Sequence, residues 1–128
     1  MNLMESILVV DDDLSLCEAL SEELNELGYN ASFVTNADGV FEFFNEGKQV
    51  DLILLDLKMP EKDGFYVLKT LKEHDIKVKV IVLTAYADVK SAIDSARLGA
   101  TDFVSKPYDL DELIITVRKV LQKEEDEN

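Results

Sequence analysis

Four short apolar runs in this chain end on residues that can handle phosphate or a metal ion. Ile7 to Val10 runs into Asp11-Asp12-Asp13, Leu52 to Leu55 into Asp56, Val78 to Leu83 into Thr84, and Phe103-Val104 into Ser105-Lys106-Pro107. If the runs are neighbouring strands pointing the same way, the carboxylates of Asp11, Asp12 and Asp56, the hydroxyl of Thr84 and the ammonium of Lys106 converge. Carboxylates crowded in this way repel by roughly 4 kcal/mol per pair at 4 Å when the effective dielectric is ~20. A hard divalent cation with oxygen ligands offsets the repulsion. Mg²⁺ suits best, because it binds through one or two carboxylates plus a substrate phosphate. Lys106 adds positive charge against a phosphoryl oxygen, and Thr84 adds a hydroxyl donor. The set fits phosphoryl transfer to a carboxylate nucleophile, where positioning and charge neutralisation do most of the catalysis. A single Asp at a strand end is ordinarily a turn or cap residue, but chance does not readily place all these residue types at matching ends.

The elements that must hold these groups can be read from apolar spacing. Four consecutive apolar residues at Leu52–Leu55 suit a strand buried on both faces, and Asp56 then stands at the mouth of the sheet. Open α/β folds hold their ligands there. Ile7–Val10 reads the same way, and Ala31–Val34 as a weaker strand near an edge. Leu14, Cys17, Leu20, Leu24 and Leu27 form a helical stripe between an Asp13 cap and Gly28. Cys17 on that stripe reads as a small core hydrophobe rather than a reactive thiol. Asn36 caps a helix that runs to about Asn45 and stops at Gly47, with Phe41, Phe43 and Phe44 as core packing. A third helix starts near Gly64 with Val67, Leu68 and Leu71 inward. A fourth uses Val89, Ala92, Ile93 and Ala96 and ends at Gly99. Asp109 to Glu112 resembles a capping box ahead of Leu110, Leu113, Ile114, Val117 and Leu121. His74, in the polar stretch KEHDIK, reads as a solvated loop residue. Five alternations of strand and helix predict an α/β fold: a five-stranded parallel sheet with five helices on both faces and right-handed crossovers. Alternation alone leaves the strand order open.

Composition narrows the class. With 128 residues the chain suits one domain with a real core, and 47% hydrophobic residues with two prolines and five glycines describe an ordered one. A single cysteine excludes an internal disulfide. No apolar run reaches membrane length, and the opening MNLMESILVV lacks the features of a signal peptide. We therefore expect a cytoplasmic protein without a membrane partner. The net charge is −14, and without Glu124, Glu125, Asp126 and Glu127 the balance is still 23 acidic against 13 basic residues. Such a surface repels phosphate backbones, so direct nucleic-acid binding is not expected.

VVDDD at 9–13, LLDLKMPEKDG at 54–64, LTAY at 83–86 and KP at 106–107 stand in the order and spacing of response-regulator receiver domains of two-component signalling. The chain resembles that CheY-like, flavodoxin-like family from about Glu5 to Lys123. The resemblance implies strand order 2-1-3-4-5, a receiver domain over 1–123, and an acidic tail or the start of a linker over 124–128. Asp56 would accept a phosphoryl group from phosphohistidine on a sensor histidine kinase or a histidine phosphotransfer protein. Asp11 and Asp12 would hold Mg²⁺ with Asp56 and the backbone carbonyl of Lys58, while Thr84 and Lys106 bind phosphoryl oxygens. The Lys106-Pro107 bond would be cis. Thr84 and Phe103 would form the switch that remodels the face made by the fourth helix, fifth strand and fifth helix, to control a protein partner or an output domain. Phe103 stands where many relatives carry tyrosine, so a partner contact needing that hydroxyl is lost. Lys58 and Tyr86 occupy the positions that tune acyl-phosphate hydrolysis, and their bulk implies a long-lived adduct. Such a domain is a phosphoacceptor rather than an enzyme with its own substrate, although it assists its own phosphorylation and dephosphorylation. TAYADVKSAI and KPYDLDEL resemble receivers of the nitrogen-regulation type and also single-domain receivers of sporulation phosphorelays. A monomer and a phosphorylation-dependent homodimer are both compatible with the resemblance.

Two other readings compete. Asp11-Asp12-Asp13 after an apolar strand also fits the nucleophile motif of haloacid-dehalogenase-like phosphatases, which would put the nucleophile at Asp11. That reading leaves Asp56 and the Lys-Met-Pro loop without a role. A receiver-like binding module that is never phosphorylated is the second, and the complete set of acceptor-site residue types speaks against it.

Overall fold

The computed structural model describes residues 4–123; the acidic segment 124–128 lies outside the described residues. Strands β1 (Ser6–Val10), β2 (Asn30–Val34), β3 (Leu52–Leu55), β4 (Lys79–Thr84) and β5 (Asp102–Ser105) alternate with helices α1 (Leu14–Glu26), α2 (Ala37–Asn45), α3 (Gly64–Glu73), α4 (Val89–Arg97) and α5 (Leu110–Gln122). All strand pairs are parallel and the order is β2-β1-β3-β4-β5. The chain runs outward from β1 to β2, then crosses back to β3 on the other side of β1. That reversal opens a crevice between β1 and β3 at the carboxyl edge.

Side chains of successive strand residues point to opposite faces, and here both faces are covered. Leu8, Val10, Ile53, Leu55, Val80 and Val82 belong to one apolar layer with residues of α2 and α3. Ile7, Val9, Leu52, Leu54, Ile81 and Leu83 belong to the other, with residues of α1 and α5. Each such side chain contributes about 1.5–3 kcal/mol relative to leaving it in water. The uninterrupted apolar runs are the sequence record of this two-sided burial. Phe41, Phe43 and Phe44 pack partly buried against the first layer, and β2 lies at the edge.

Every helix starts on an Asx cap. Asp13, Asn36, Asp63, Asp88 and Asp109 accept backbone N–H groups from Leu16, Gly39, Tyr66, Ser91, and Asp111 with Glu112. A cap of this kind contributes about 0.5–2 kcal/mol. Gly28 and Gly99, at φ 101° and 105°, turn the chain out of α1 and α4. After α3 no glycine is available, and Asp75 takes the left-handed position itself at φ 55°. His74 is the exposed C-cap residue of α3.

Two helical stripes are only partly buried. In α1, Leu14 is exposed, as is the C-cap residue Leu27, and Ser21 is buried with Cys17, Leu20 and Leu24. In α4 the apolar stripe largely faces out. Val89 is 75% and Ile93 46% exposed, Ala96 is exposed, and Ser95 is the buried residue of the helix. The helix therefore presents its apolar residues to solvent and a small hydroxyl side chain to the protein.

Gly64 shows how closely the elements approach the crevice. Its N–H donates to the Leu57 carbonyl at 2.9 Å. A Cβ there would press on the Asp56 carbonyl oxygen and lie 2.7 Å from the Leu57 Cα. Both neighbours are backbone and cannot swing away. We expect Gly64→Ala to destabilise the fold by about 1–3 kcal/mol, read as a lower urea midpoint. An unchanged midpoint would contradict this account of the α3 start.

Candidate functional site

The register of the sheet brings the chemistry together. Val10 pairs with Leu55, Leu55 with Val82, and Thr84 with Ser105, so the residues after β1, β3 and β5 emerge beside Thr84. Asp56 donates its N–H to the Val10 carbonyl at 2.9 Å, and Lys106 donates its own to the Thr84 carbonyl at 2.9 Å. The ladder thus continues through the functional residues themselves.

Oxygens of the Asp11, Asp12 and Asp56 carboxylates lie within 4.8 Å of one another. Asp11 and Asp56 are buried and Asp12 is exposed. Both Asp11 oxygens are engaged: Oδ1 accepts the Asp13 N–H at 3.0 Å and Oδ2 accepts the Lys106 ammonium at 2.6 Å. Asp56 Oδ1 accepts the Lys58 N–H at 3.3 Å, and its Oδ2 is 3.6 Å from the Lys106 Nζ. Burial works against the Lys106 charge. Its hydrogen bond to Asp11 and the fields of Asp56 and Asp11 outweigh that, and the ammonium is held above the ordinary lysine value.

The ligand-capable oxygens at the centre are hard anions. At 4.8 Å and an effective dielectric of ~20, each carboxylate pair repels by about 3.5 kcal/mol, and one ammonium faces three negative charges. This donor set fits a hard divalent cation such as Mg²⁺ and lacks the nitrogen and sulfur ligands that select zinc. Cys17 is close by, but its thiol donates to the Asp11 carbonyl at 3.2 Å. Burial, reinforced by the Asp11 charge, pushes that thiol up to about 11. It is a packing residue, as its place on the stripe implied.

Asp12, Asp56, Thr84 and Lys106 line one cleft of about 620 Å³, together with Lys58 and Tyr86. Thr84 is buried, and its Oγ1 accepts the Tyr86 N–H at 3.1 Å. Lys58 Nζ donates to the Tyr86 hydroxyl at 2.9 Å and stands 4.6 Å from the centre of its ring. That hydrogen bond, with the field of the phenol, holds Lys58 above its ordinary value. Phe103 is outside the cleft lining; it is half-buried against the layer that contains Val80 and Val82. The Lys106–Pro107 peptide is cis. Sequence reasoning named these residues but not the Lys58–Tyr86 contact, nor Met59, Pro60 and Ala85 as cleft lining. The contact joins two loops whose proximity no local pattern reveals.

A parallel sheet ordered 2-1-3-4-5, with an acidic trio, a threonine and a lysine at its carboxyl edge, defines a receiver domain. The chain belongs to the response regulator receiver domain family, which it matches over residues 7–118. It is 37% identical over 122 residues to Regulatory protein AtoC of Escherichia coli (strain K12), covering 95% of this chain and 26% of that protein. It is 36% identical over 117 residues to Sporulation initiation phosphotransferase F of Bacillus subtilis (strain 168), covering 91% of this chain and 94% of that protein. Among solved structures, the receiver domain of Francisella response regulator 1452 superposes with a TM-score of 0.85 at 29% identity, covering 92% of this chain and 97% of that one. The chain thus spans about a quarter of the length of the first of these regulators.

The Lys106 pairing carries a pH signature. A raised folded-state value means that its stabilisation is complete below the unfolded lysine value and is lost as pH climbs through the folded one. The urea-midpoint gap between the parent and Lys106→Gln should therefore narrow as pH rises from about 9 to about 12, across the lysine range. A gap that stays constant would contradict the pairing.

Proposed function

We propose that Asp56 is the phosphoacceptor of this receiver and takes its phosphoryl group from phosphohistidine on a sensor histidine kinase or a histidine phosphotransfer protein. One observation carries the choice. Of the two buried carboxylates, Asp56 lines the cleft and is only loosely held, at 3.3 Å by the Lys58 N–H and 3.6 Å from Lys106, whereas Asp11 is outside the lining and is bonded at 3.0 Å by the Asp13 N–H and at 2.6 Å by Lys106. The same observation weighs against Asp11 as a phosphatase-type nucleophile.

In the transfer, an Asp56 oxygen bonds to phosphorus as the phosphorus–nitrogen bond breaks. The electron pair leaves with the donor imidazole. Mg²⁺ held by Asp11, Asp12, Asp56 and the Lys58 carbonyl would supply positive charge against the phosphoryl oxygens. Lys106, already 3.6 Å from Asp56, lies within reach of one such oxygen, and the Thr84 hydroxyl can donate to another. Formation and later hydrolysis of the acyl phosphate are assisted by the domain's own residues, with no other substrate turned over.

Engaging Thr84 in this way shifts the population of a two-state switch that includes Phe103 and the face formed by α4, β5 and α5. The outward-facing Val89 and Ile93 support that face as the surface read by a protein partner or an output domain. We place this exchange in the cytoplasm. Among the described residues no helix is long and apolar enough to cross a membrane.

The test is intact mass after incubation with acetyl phosphate, with and without Mg²⁺. The parent should gain one phosphoryl group only with Mg²⁺, and Asp56→Asn should gain none. An adduct that survives Asp56→Asn but not Asp11→Asn would overturn the assignment. The Lys58–Tyr86 contact across the cleft yields a second expectation. Lys58→Asn and Tyr86→Ala should each shorten the adduct lifetime by opening the phosphorus to water. Lifetimes no shorter than the parent's would remove that role.

A further inference from the structure

The amino end of the sheet, opposite the carboxylates, holds a contact that the phosphoryl site does not use. Lys79 opens β4, and its Nζ donates to the carbonyls of Val120, at 2.9 Å, and of Lys123. Val120 lies in the last turn of α5 and Lys123 is its C-cap. The final carbonyls of a helix lack partners within the helix, and the dipole makes that end negative. A lysine on two of them satisfies both needs. Charge-assisted bonds are also among the stronger hydrogen bonds in proteins. The turn is also held by the buried Val120 side chain in the layer that contains Ile81, but its polar hold is otherwise weak: the Lys123 N–H reaches the Val120 carbonyl only at 3.3 Å.

Both ends of α5 are therefore fastened to β4, by different means. At the amino end, the Lys106 N–H bonds to Thr84, and the chain passes through Pro107 and Tyr108 to the Asp109 cap. At the carboxyl end, among the described residues, the polar link is the Lys79 ammonium, which adds to the apolar packing of Val117 and Val120 in the layer that contains Ile81. Lys79 and Thr84 are the first and last residues of the same strand.

We propose that Lys79 is a clamp holding the last turn of α5 to the start of β4, and that phosphorylation at the far end of the strand changes its grip. The first half is independent of the phosphoacceptor reading; the second rests on it. The clamp decides where the backbone leaves α5, so its state determines how any segment joined after the helix is presented.

Hydrogen exchange resolved at the amides of 120–123 tests both halves, in the parent, Lys79→Met and Lys79→Arg. Methionine keeps most of the stem and removes the charge. Exchange at these amides should rise roughly tenfold in Lys79→Met, the factor expected from losing a charge-assisted hydrogen bond. Amides of β1 and β3 should be unchanged, and Lys79→Arg should recover most of the protection. Equal exchange in the parent and Lys79→Met overturns the clamp, as does a uniform rise that includes β1 and β3. After phosphorylation verified by intact mass, exchange at 120–123 should change in the parent and not in Lys79→Met. A verified adduct with no change in the parent overturns the second half. Failure of the adduct to form at all would instead count against the Asp56 assignment, while the unphosphorylated comparison still decides the clamp.

Discussion

The repulsion among Asp11, Asp12 and Asp56 is the constraint around which the rest of the molecule is arranged. Two of these carboxylates are buried on adjacent strands, and nothing in the apolar layers compensates them. Lys106 does so from the loop after β5, three strands from β1 and two from β3, with its ammonium on Asp11 and within reach of Asp56. Its backbone is fixed to Thr84 and its side chain is largely buried against Asp11, so the cation has less room to drift than a surface lysine. The sheet acts as a rigid jig. Burial on two faces sets the strand registers, and the registers decide which charged groups meet.

The site has limited latitude for the same reason. Gly64 lies against the backbone of Asp56 and Leu57, and the Asp13 N–H is spent on Asp11. These groups do no chemistry. They prevent the loops from relaxing outward under the charge they carry. Partial neutralisation by one lysine leaves excess negative charge at the crevice, which favours a cation there and makes the site responsive to its arrival.

Much of this was legible from residue order. Strands buried on both faces leave continuous apolar runs, and such a run followed at once by a carboxylate marks the mouth of the crevice. Ile7–Val10 with Asp11, and Leu52–Leu55 with Asp56, could be read without knowing the fold. The adjacency of β1 and β3 could not, because alternation of strand and helix is the same for several strand orders; resemblance supplied it. Asp63 and Asp88 capped helices without being singled out, since Asp is common in loops and a cap is recognised only once the helix start is known. In α4 the periodicity marks a helix but does not say which way the stripe faces. A helical stripe of apolar residues looks alike whether it faces a core or a future partner. The Lys58–Tyr86 and Lys79–Val120 contacts join residues 28 and 41 positions apart, distances at which sequence spacing carries no information.

The outward stripe of α4 has an energetic meaning. With Ser95 as its buried residue, the helix contributes little to the free energy that keeps the domain folded. Elements with few buried apolar groups occupy the low end of the local-stability range and open or shift without disturbing the remainder. A complete two-state swing, from one part in a hundred to ninety-nine, takes about 5.5 kcal/mol of differential interaction. A helix moored in the core by several leucines would add its own packing energy to that sum. Here the mooring is slight, so the helix adds little to the differential interaction that a swing would require. The hydrophobic surface left outside can contribute a second increment, released only when something arrives to cover it.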